Sequence, residues 1–393
     1  MNGRRLNLLR PVLSLPRDLQ LLFWSFFLWS FGYGLYNYVW PVFLEGLNAD
    51  PGQVGLVFSI GFVALAACMI PGGILANKYD LKTLLIIGWI LSLPPMIMYY
   101  YARTWTDAIP GIILLQVSGF NVPAFNAYIA GASERQRTGS SFGVVWASAP
   151  FGAVISPAVG GALLAWISIR DIFLLSLAFF IVSTIVLFWM RTQPPEARDR
   201  RMPRLELPRT KPELTLLVFL AGAAVAFSIV APFLPLFFHD ILSLSPSAIL
   251  GLGSIQALGQ TAFAIFLGRR ADLQSRGQTM ALGLILAAAG LAGIIATRNV
   301  LFAIPLIFFV GSARASSYIA YSVLAAARSG QSRGGQYGFF LTLEALGFVV
   351  GSYLGGVLYS FSAVSGFATA IGLWLVLAMV AGLTRFKIKE TPD

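Results

Sequence analysis

Residues Gly73-Ile74-Leu75-Ala76-Asn77-Lys78-Tyr79-Asp80-Leu81-Lys82 form a short polar stretch between two long apolar runs, and Gly268-Arg269-Arg270-Ala271-Asp272-Leu273-Gln274-Ser275-Arg276 repeats it 195 positions later. The residue types suit a tight crossing between helices. Gly lets backbones approach, an Asn or Asp side chain can cap a helix N-terminus, and Lys and Arg stay at a polar interface. The same offset aligns Pro51 with Pro246, Ser59-Ile60 with Ser254-Ile255, Gly143 with Gly338, Gly152 with Gly347, and Gly160-Gly161 with Gly355-Gly356. One offset that holds across separate loops and helices marks an internal duplication.

Outward from these loops the chain is a series of apolar runs of about 20 residues, the length that crosses a ~30 Å hydrocarbon core as a helix. Twelve spans are predicted: Leu19 to Leu44, Val54 to Leu75, Thr83 to Tyr101, Ala108 to Ala132, Ser141 to Ile167, Ile172 to Met190, Leu214 to Phe238, Ser247 to Gly268, Met280 to Ala296, Val300 to Ala326, Tyr337 to Phe361 and Ala363 to Leu383. The chain is thus expected to be an all-α membrane protein with two pseudo-symmetric six-helix bundles. The N-terminal bundle covers residues 1–190, a cytoplasmic linker loop 191–213, and the C-terminal bundle 214–393.

Composition agrees. Hydrophobic residues make up 57% of the 393 residues and charged ones 11%, against about 25% charged in a soluble domain. A soluble enzyme is excluded. The single Cys68 and single His239 allow no intrachain disulfide and no Cys/His metal site; no metal or cofactor is expected. Arg10, Pro11, Arg17 and Asp18 interrupt any cleavable signal at the N-terminus.

All but four of the 27 Lys and Arg residues lie on the side of the membrane that bears the termini, called here the basic side. Arg103, Arg170 and Arg298 lie on the far side, and Arg314 lies inside span 10. By the positive-inside rule the basic side, with both termini, is predicted to be cytoplasmic, in a cell membrane. The net charge of +11 is spread over seven short segments, which argues against a nucleic-acid partner.

With the two loops and the duplication in place, the whole chain resembles the major facilitator superfamily of secondary transporters. Its signature loop reads Gly, any residue, Leu, Ala, Asp, basic, any residue, Gly, basic. Here Asn77 replaces Asp, Asp80 stands where Gly is usual, and Asp272 keeps the charge. The resemblance implies that Gly73, Asn77, Lys78, Lys82, Gly268, Asp272 and Arg276 belong to a latch that shuts the cytoplasmic side when the carrier faces outward. In span 5, Gly143, Gly152, Ser156-Pro157 and Gly160-Gly161 are similar to the antiporter motif of the drug-efflux members. The same residues equally describe a tightly packed membrane helix.

Two charges lie inside the predicted spans, Arg314 and Glu344, about 18 Å and about 12 Å from the basic side at 1.5 Å per residue. An unpaired charge there costs at least about 2.5 to 3.5 kcal/mol, so the two are expected to pair or to face water. Glu344 is the candidate proton-coupling site, under the control of Arg314; a permanent structural ion pair is the alternative.

Arg314 shares a helical face with Gly311, Ser317, Tyr318 and Tyr321. The resemblance implies that spans 1, 4, 7 and 10 line a central cavity. On that basis Tyr33, Tyr36, Asn37 and Trp40 of span 1 and Gln116, Phe120, Asn121 and Asn126 of span 4 are candidate substrate-binding residues, with Gln256 and Gln260 of span 8. Spans 6, 9 and 12 are expected to face lipid. Trp24, Tyr99, Tyr100 and Tyr101, near span ends, are assigned to the interfacial aromatic belt or to packing; His239 is placed on the far-side surface beside Asp240, with pH sensing as the alternative to a histidine of no coupling role.

Gly139-Ser140-Ser141-Phe142-Gly143 matches a nucleophile-elbow pattern but lacks a histidine on its side of the membrane. No phosphate-binding Gly-x4-Gly-Lys-Ser/Thr loop is present. The expected function is secondary active transport of a small organic or amphipathic solute by alternating access, as proton-coupled export by a monomer within the bilayer. The alternatives are a uniporter or exchanger of an organic anion bound by Arg314, and a carrier-like lipid flippase.

Overall fold

The computed structural model describes residues 10–134, 137–194, 211–327 and 333–384. Most of the predicted 191–213 linker and both extreme termini lie outside the described residues. Among the described residues, eleven helical segments are long and apolar enough to cross a bilayer, from Pro51–Ala76 to Ser365–Leu383. The remaining expected span, Leu19 to Leu44, is interrupted: a helix over Arg17–Gly34 gives way to turns at residues 35–39 and resumes as Trp40–Gly46.

The same interruption recurs where the duplication places it. Span 7 breaks between Lys211–Val230 and Phe233–Asp240, span 10 breaks at Gly311 between Val300–Val310 and Ser312–Ala327, and span 4 carries a 3-10 turn at Ser118–Asn121. Pro41, Pro123 and Pro232 stand at or beside the restarts, where a missing N–H costs least.

Helix starts repeat as well. Asp50 caps span 2 by accepting from the Gln53 amide at 2.8 Å, and Ser245 caps span 8 by accepting from the Ala248 amide at 3.3 Å, each followed by Pro at the first helical position. Just before these caps, Asn48 and Ser243 both hold positive φ, 65° and 53°. The 195-residue offset thus extends to single backbone conformations.

Within each half the helices pair in the same way: span 1 with spans 5 and 6, span 2 with 4, span 3 with 6, and correspondingly span 7 with 11 and 12, span 8 with 10, span 9 with 12. Between the halves, span 2 packs on span 11 and span 5 on span 8. The fold is an all-α multi-pass membrane fold with two pseudo-symmetric halves. Spans 6, 9 and 12 turn apolar side chains outward, among them Ile181, Val182, Ile285, Val376 and Met379, a surface suited to lipid and not to water. Hydroxyls tie the buried faces together. Ser25 Oγ donates to the Ser183 carbonyl at 2.9 Å and Trp89 Nε1 to Ser183 Oγ at 2.7 Å, joining spans 1, 3 and 6.

Candidate functional site

The two intramembrane charges meet. The Arg314 guanidinium is hydrogen-bonded to Glu344 Oε1, with 21% of the Arg314 side chain and 6% of the Glu344 side chain exposed. Arg314 is placed by the short helix that restarts after the break at Gly311, and Glu344 by span 11. Three rings surround the guanidinium: Phe348 at 5.4 Å, Tyr318 at 5.5 Å and Phe227 at 5.7 Å, a cation–π setting that supports a partly desolvated charge. Gln260 Nε2 donates to the Tyr318 hydroxyl at 2.9 Å, so spans 8, 10 and 11 share one polar chain. Phe348 in turn packs against Phe62 of span 2, with ring centroids 5.0 Å apart and planes tilted by 45°. The ion pair therefore sits one ring away from the other half. Chemically, this is a carboxylate and a guanidinium held together beside the seam between the two halves.

The other candidate residues divide. Gln260 and Tyr318 join the Arg314 cluster, Ser317 and Tyr321 are buried on the same helix, and the Gln256 carbonyl oxygen of the side chain is buried without a hydrogen bond. In the N-terminal half, Tyr33 stacks on Trp29 at 5.3 Å, and Asn37 and Gln116 are half-buried. Tyr36, Trp40, Phe120 and Asn121 are buried in this conformation. Tyr36 and Trp40 pack against Tyr99, Phe173 and Phe58, and Asn121 lies so close to Gly88 that an added Cβ would come within 1.9 Å of its amide nitrogen. Asn126 accepts from Trp146 Nε1 at 3.0 Å. Of the aromatics assigned to belt or packing, Tyr99 is fully buried in this cluster, whereas Tyr101 is exposed.

The small residues of span 5 separate into two sets. Gly152, Ser156 and Gly160 face span 1, and Gly161 faces span 8: an added Cβ would lie 2.4 Å from the Leu35 carbonyl at Gly160 and 2.7 Å from the Ser247 carbonyl at Gly161. Pro157 is buried beside them. The duplicate position, Gly356, meets the Pro51 carbonyl at the same 2.7 Å. These far-side contacts, with hydrogen bonds from Ser59 to the Val349 carbonyl at 2.9 Å, from Ser247 to the Gly161 carbonyl at 2.6 Å and from the Ala158 amide to Ser254 at 2.8 Å, close the far side of the seam.

On the basic side, Gly73, Gly139, Gly143 and Gly268 have no neighbour within 4 Å of an added Cβ. The space beside these four positions is open. Among the described residues Asn77, Lys78, Asp272 and Arg276 make no ion pair across the seam, and Lys82 donates to the Phe188 carbonyl at 2.8 Å within its own half. The unusual Asp80 has two partners: Oδ1 caps span 3 through the Thr83 amide at 2.9 Å, and Oδ2 accepts from the Gln193 amide at 2.8 Å. It pins the start of the linker to the N-terminal half. Sequence reasoning missed this role because Gln193 is 113 residues away.

With this geometry established, comparisons with known proteins bear on it directly. The profile of the Major Facilitator Superfamily matches residues 22–255 and 214–393. The chain is 26% identical over 220 residues to the multi-drug resistance efflux pump PmrA of Streptococcus pneumoniae, covering 51% of this chain and 53% of that pump. It is 28% identical over 247 residues to the multidrug resistance protein MdtG of Klebsiella pneumoniae, covering 59% and 60%. The chain thus spans about half the length of the curated relatives it matches. Among solved structures, a bacterial homologue of the human lysosomal transporter Spinster, inward-facing and unoccupied, superposes with a TM-score of 0.75 at 15% identity, over 96% of this chain and 98% of that one. The human organic anion transporter MFSD10 superposes with a TM-score of 0.70 at 15% identity, over 93% and 100%. By sequence profile and by fold, the chain belongs to the Major Facilitator Superfamily.

Proposed function

We propose that this protein is a secondary transporter that exports a small organic or amphipathic solute by alternating access, driven by protons that bind Glu344. The observation that carries the reading is the Arg314–Glu344 pair, enclosed by Phe227, Tyr318 and Phe348 and one ring from the N-terminal half. Protonating Glu344 removes the counter-charge of Arg314 and so changes the stability of any arrangement in which the two are packed together. The names of the relatives, multidrug efflux pumps, support a broad organic substrate.

In this reading the halves 1–190 and 214–393 rock about the seam as a monomer in the bilayer, the basic side is cytoplasmic, and the structure is its inward-open state. Gln260, Tyr318 and Arg314 contact the solute, with Gln256, Ser317, Tyr321, Tyr33, Asn37 and Gln116 around them. The test is flux into proteoliposomes under an imposed pH gradient. Glu344→Gln is expected to abolish gradient-driven transport while leaving solute exchange; unchanged gradient-driven flux refutes the assignment.

A second reading has one observation in its favour. The guanidinium of Arg314, flanked by aromatic rings, would be freed by protonation of Glu344 to take an organic anion. It predicts that Arg314→Lys loses affinity for anions, since bidentate recognition is lost, and keeps affinity for neutral solutes.

A further inference from the structure

At the far end of the seam the two halves also meet through ionisable groups. The short helix Trp40–Gly46 ends span 1 and carries Glu45; the short helix Phe233–Asp240 ends span 7 and carries His239 and Asp240. His239 Nδ1 lies 3.2 Å from Glu45 Oε2 and 3.2 Å from Asp240 Oδ1. Tyr359 of span 11 donates its hydroxyl hydrogen to Asp240 Oδ2 at 3.0 Å. One ring nitrogen carries at most one hydrogen, so it serves one carboxylate at a time. In the structure it pairs with Asp240, and Glu45 Oε2, shielded from water, is left without a hydrogen bond. With a neutral imidazole the cluster holds two carboxylates of like charge from opposite halves.

We propose that Glu45, His239 and Asp240 form a proton-binding latch that fastens the far-side closure between the two halves. A proton on His239 places a cation between the carboxylates, and a proton on Glu45 lets it donate to Asp240; either removes the repulsion across the seam. Burial, and next the Asp240 carboxylate, push Glu45 above the usual carboxylate range, with His239 pulling the other way.

The groups that face the latch from the elements packed on it are few. Span 11 contributes Tyr359, whose hydroxyl donates to Asp240 Oδ2. At the start of span 2, Asp50 is engaged with Gln53 in its own helix cap. Arg170 lies over the Phe43 ring at 5.7 Å and donates to the Tyr100 carbonyl. Among the described residues no Lys or Arg forms an ion pair with the cluster.

The sign follows from linkage: the closed state binds more protons than the open one, so closure is strongest in acid and weakens as pH rises, by up to about tenfold per pH unit for one linked proton. An imidazole changes charge between about pH 5 and 8, which sets the range to be scanned. The latch requires only that the halves close on the far side, so it stands or falls independently of Glu344 and of the transported solute.

The experiment uses the full chain in liposomes without solute. Spin labels at Arg103→Cys and Ser362→Cys, both exposed on the far side of opposite halves, are placed in a Cys68→Ala background, Cys68 being the sole cysteine. The short-distance population is expected to fall as pH rises from about 5 to 8, and to lose most of that dependence in His239→Gln and again in Glu45→Gln. Both side chains are partly exposed, and Asp240→Asn gives a third, independent variant. Equal pH dependence in all three variants, or a closed population that grows with pH, overturns the proposal. Because the three groups lie within 4.8 Å of one another, a chelator arm is included. A pH response abolished by chelator and restored by zinc would replace the proton with a divalent cation and overturn the proposal equally.

Discussion

Adding one methyl group at Gly356 should pry the far side open. An added Cβ there would stand 2.7 Å from the Pro51 carbonyl oxygen, 3.1 Å from Gly55 Cα and 3.2 Å from Gly52 Cα. Non-bonded heavy atoms sit comfortably at about 3.5 to 4.0 Å, so spans 2 and 11 must part by roughly half an ångström or more. Every opposing atom is backbone, so no side chain can rotate away. Overpacking of this kind costs about 1–3 kcal/mol.

The crowding exists only while the far sides of spans 2 and 11 touch, so the whole penalty falls on the far-closed state. It should shift the closed-to-open ratio by about 5- to 150-fold. The measurement is the distance distribution between labels at residues 103 and 362, with Gly268→Ala as the control, since nothing lies within 4 Å of that position here. An unchanged distribution in Gly356→Ala, or an equal shift in the control, refutes the reasoning.

Three further outcomes are expected. Glu344→Gln leaves the Arg314 guanidinium without its counter-charge; broken buried pairs cost about 3–5 kcal/mol, and with 21% of the Arg314 side chain exposed the loss should fall at the low end. The melting temperature in detergent should drop and recover in the double variant Glu344→Gln, Arg314→Met; a double variant no more stable than the single one contradicts the pairing energetics. Asp80→Ala removes the cap of span 3 and the tie to Gln193, with a cost of about 0.5–2 kcal/mol in the same melting assay, whereas Asp80→Gly should cost less through the cap. Gly161→Ala, whose Cβ would stand 2.7 Å from the Ser247 carbonyl, should mimic Gly356→Ala because the two positions are duplicates; opposite effects of the pair would argue against a symmetric seam.

How far these features were legible depends on their range along the chain. The spans, the duplication and the meeting of Arg314 with Glu344 follow from local hydropathy, a constant offset and the depth of two charges, all of which are readable residue by residue. The helical face of Tyr36 and Trp40 was also readable, but periodicity says which side chains share a face and not what that face meets. Their face meets Tyr99 and Phe173 inside the N-terminal half. The breaks near Leu35 and Ala231 left only weak marks, since Pro41 and Pro232 are tolerated in unbroken membrane helices too. The 3.2 Å approach of Glu45 to His239 joins residues from different halves, and nothing in either neighbourhood signals it.

Those breaks have a mechanical consequence. The far-side seam is held partly by two short rods, Trp40–Gly46 and Phe233–Asp240, each roughly 10 to 12 Å long at 1.5 Å per residue and jointed to its parent helix by a turn. A change of about 20° at such a joint carries the tip of a rod about 12 Å long through about 4 Å. That stroke is longer than the 3.2 Å between His239 and Glu45. A bend at these joints would separate the rod tips without displacing the long helices behind them, at the cost of unpacking Phe43 and Phe237 from the core.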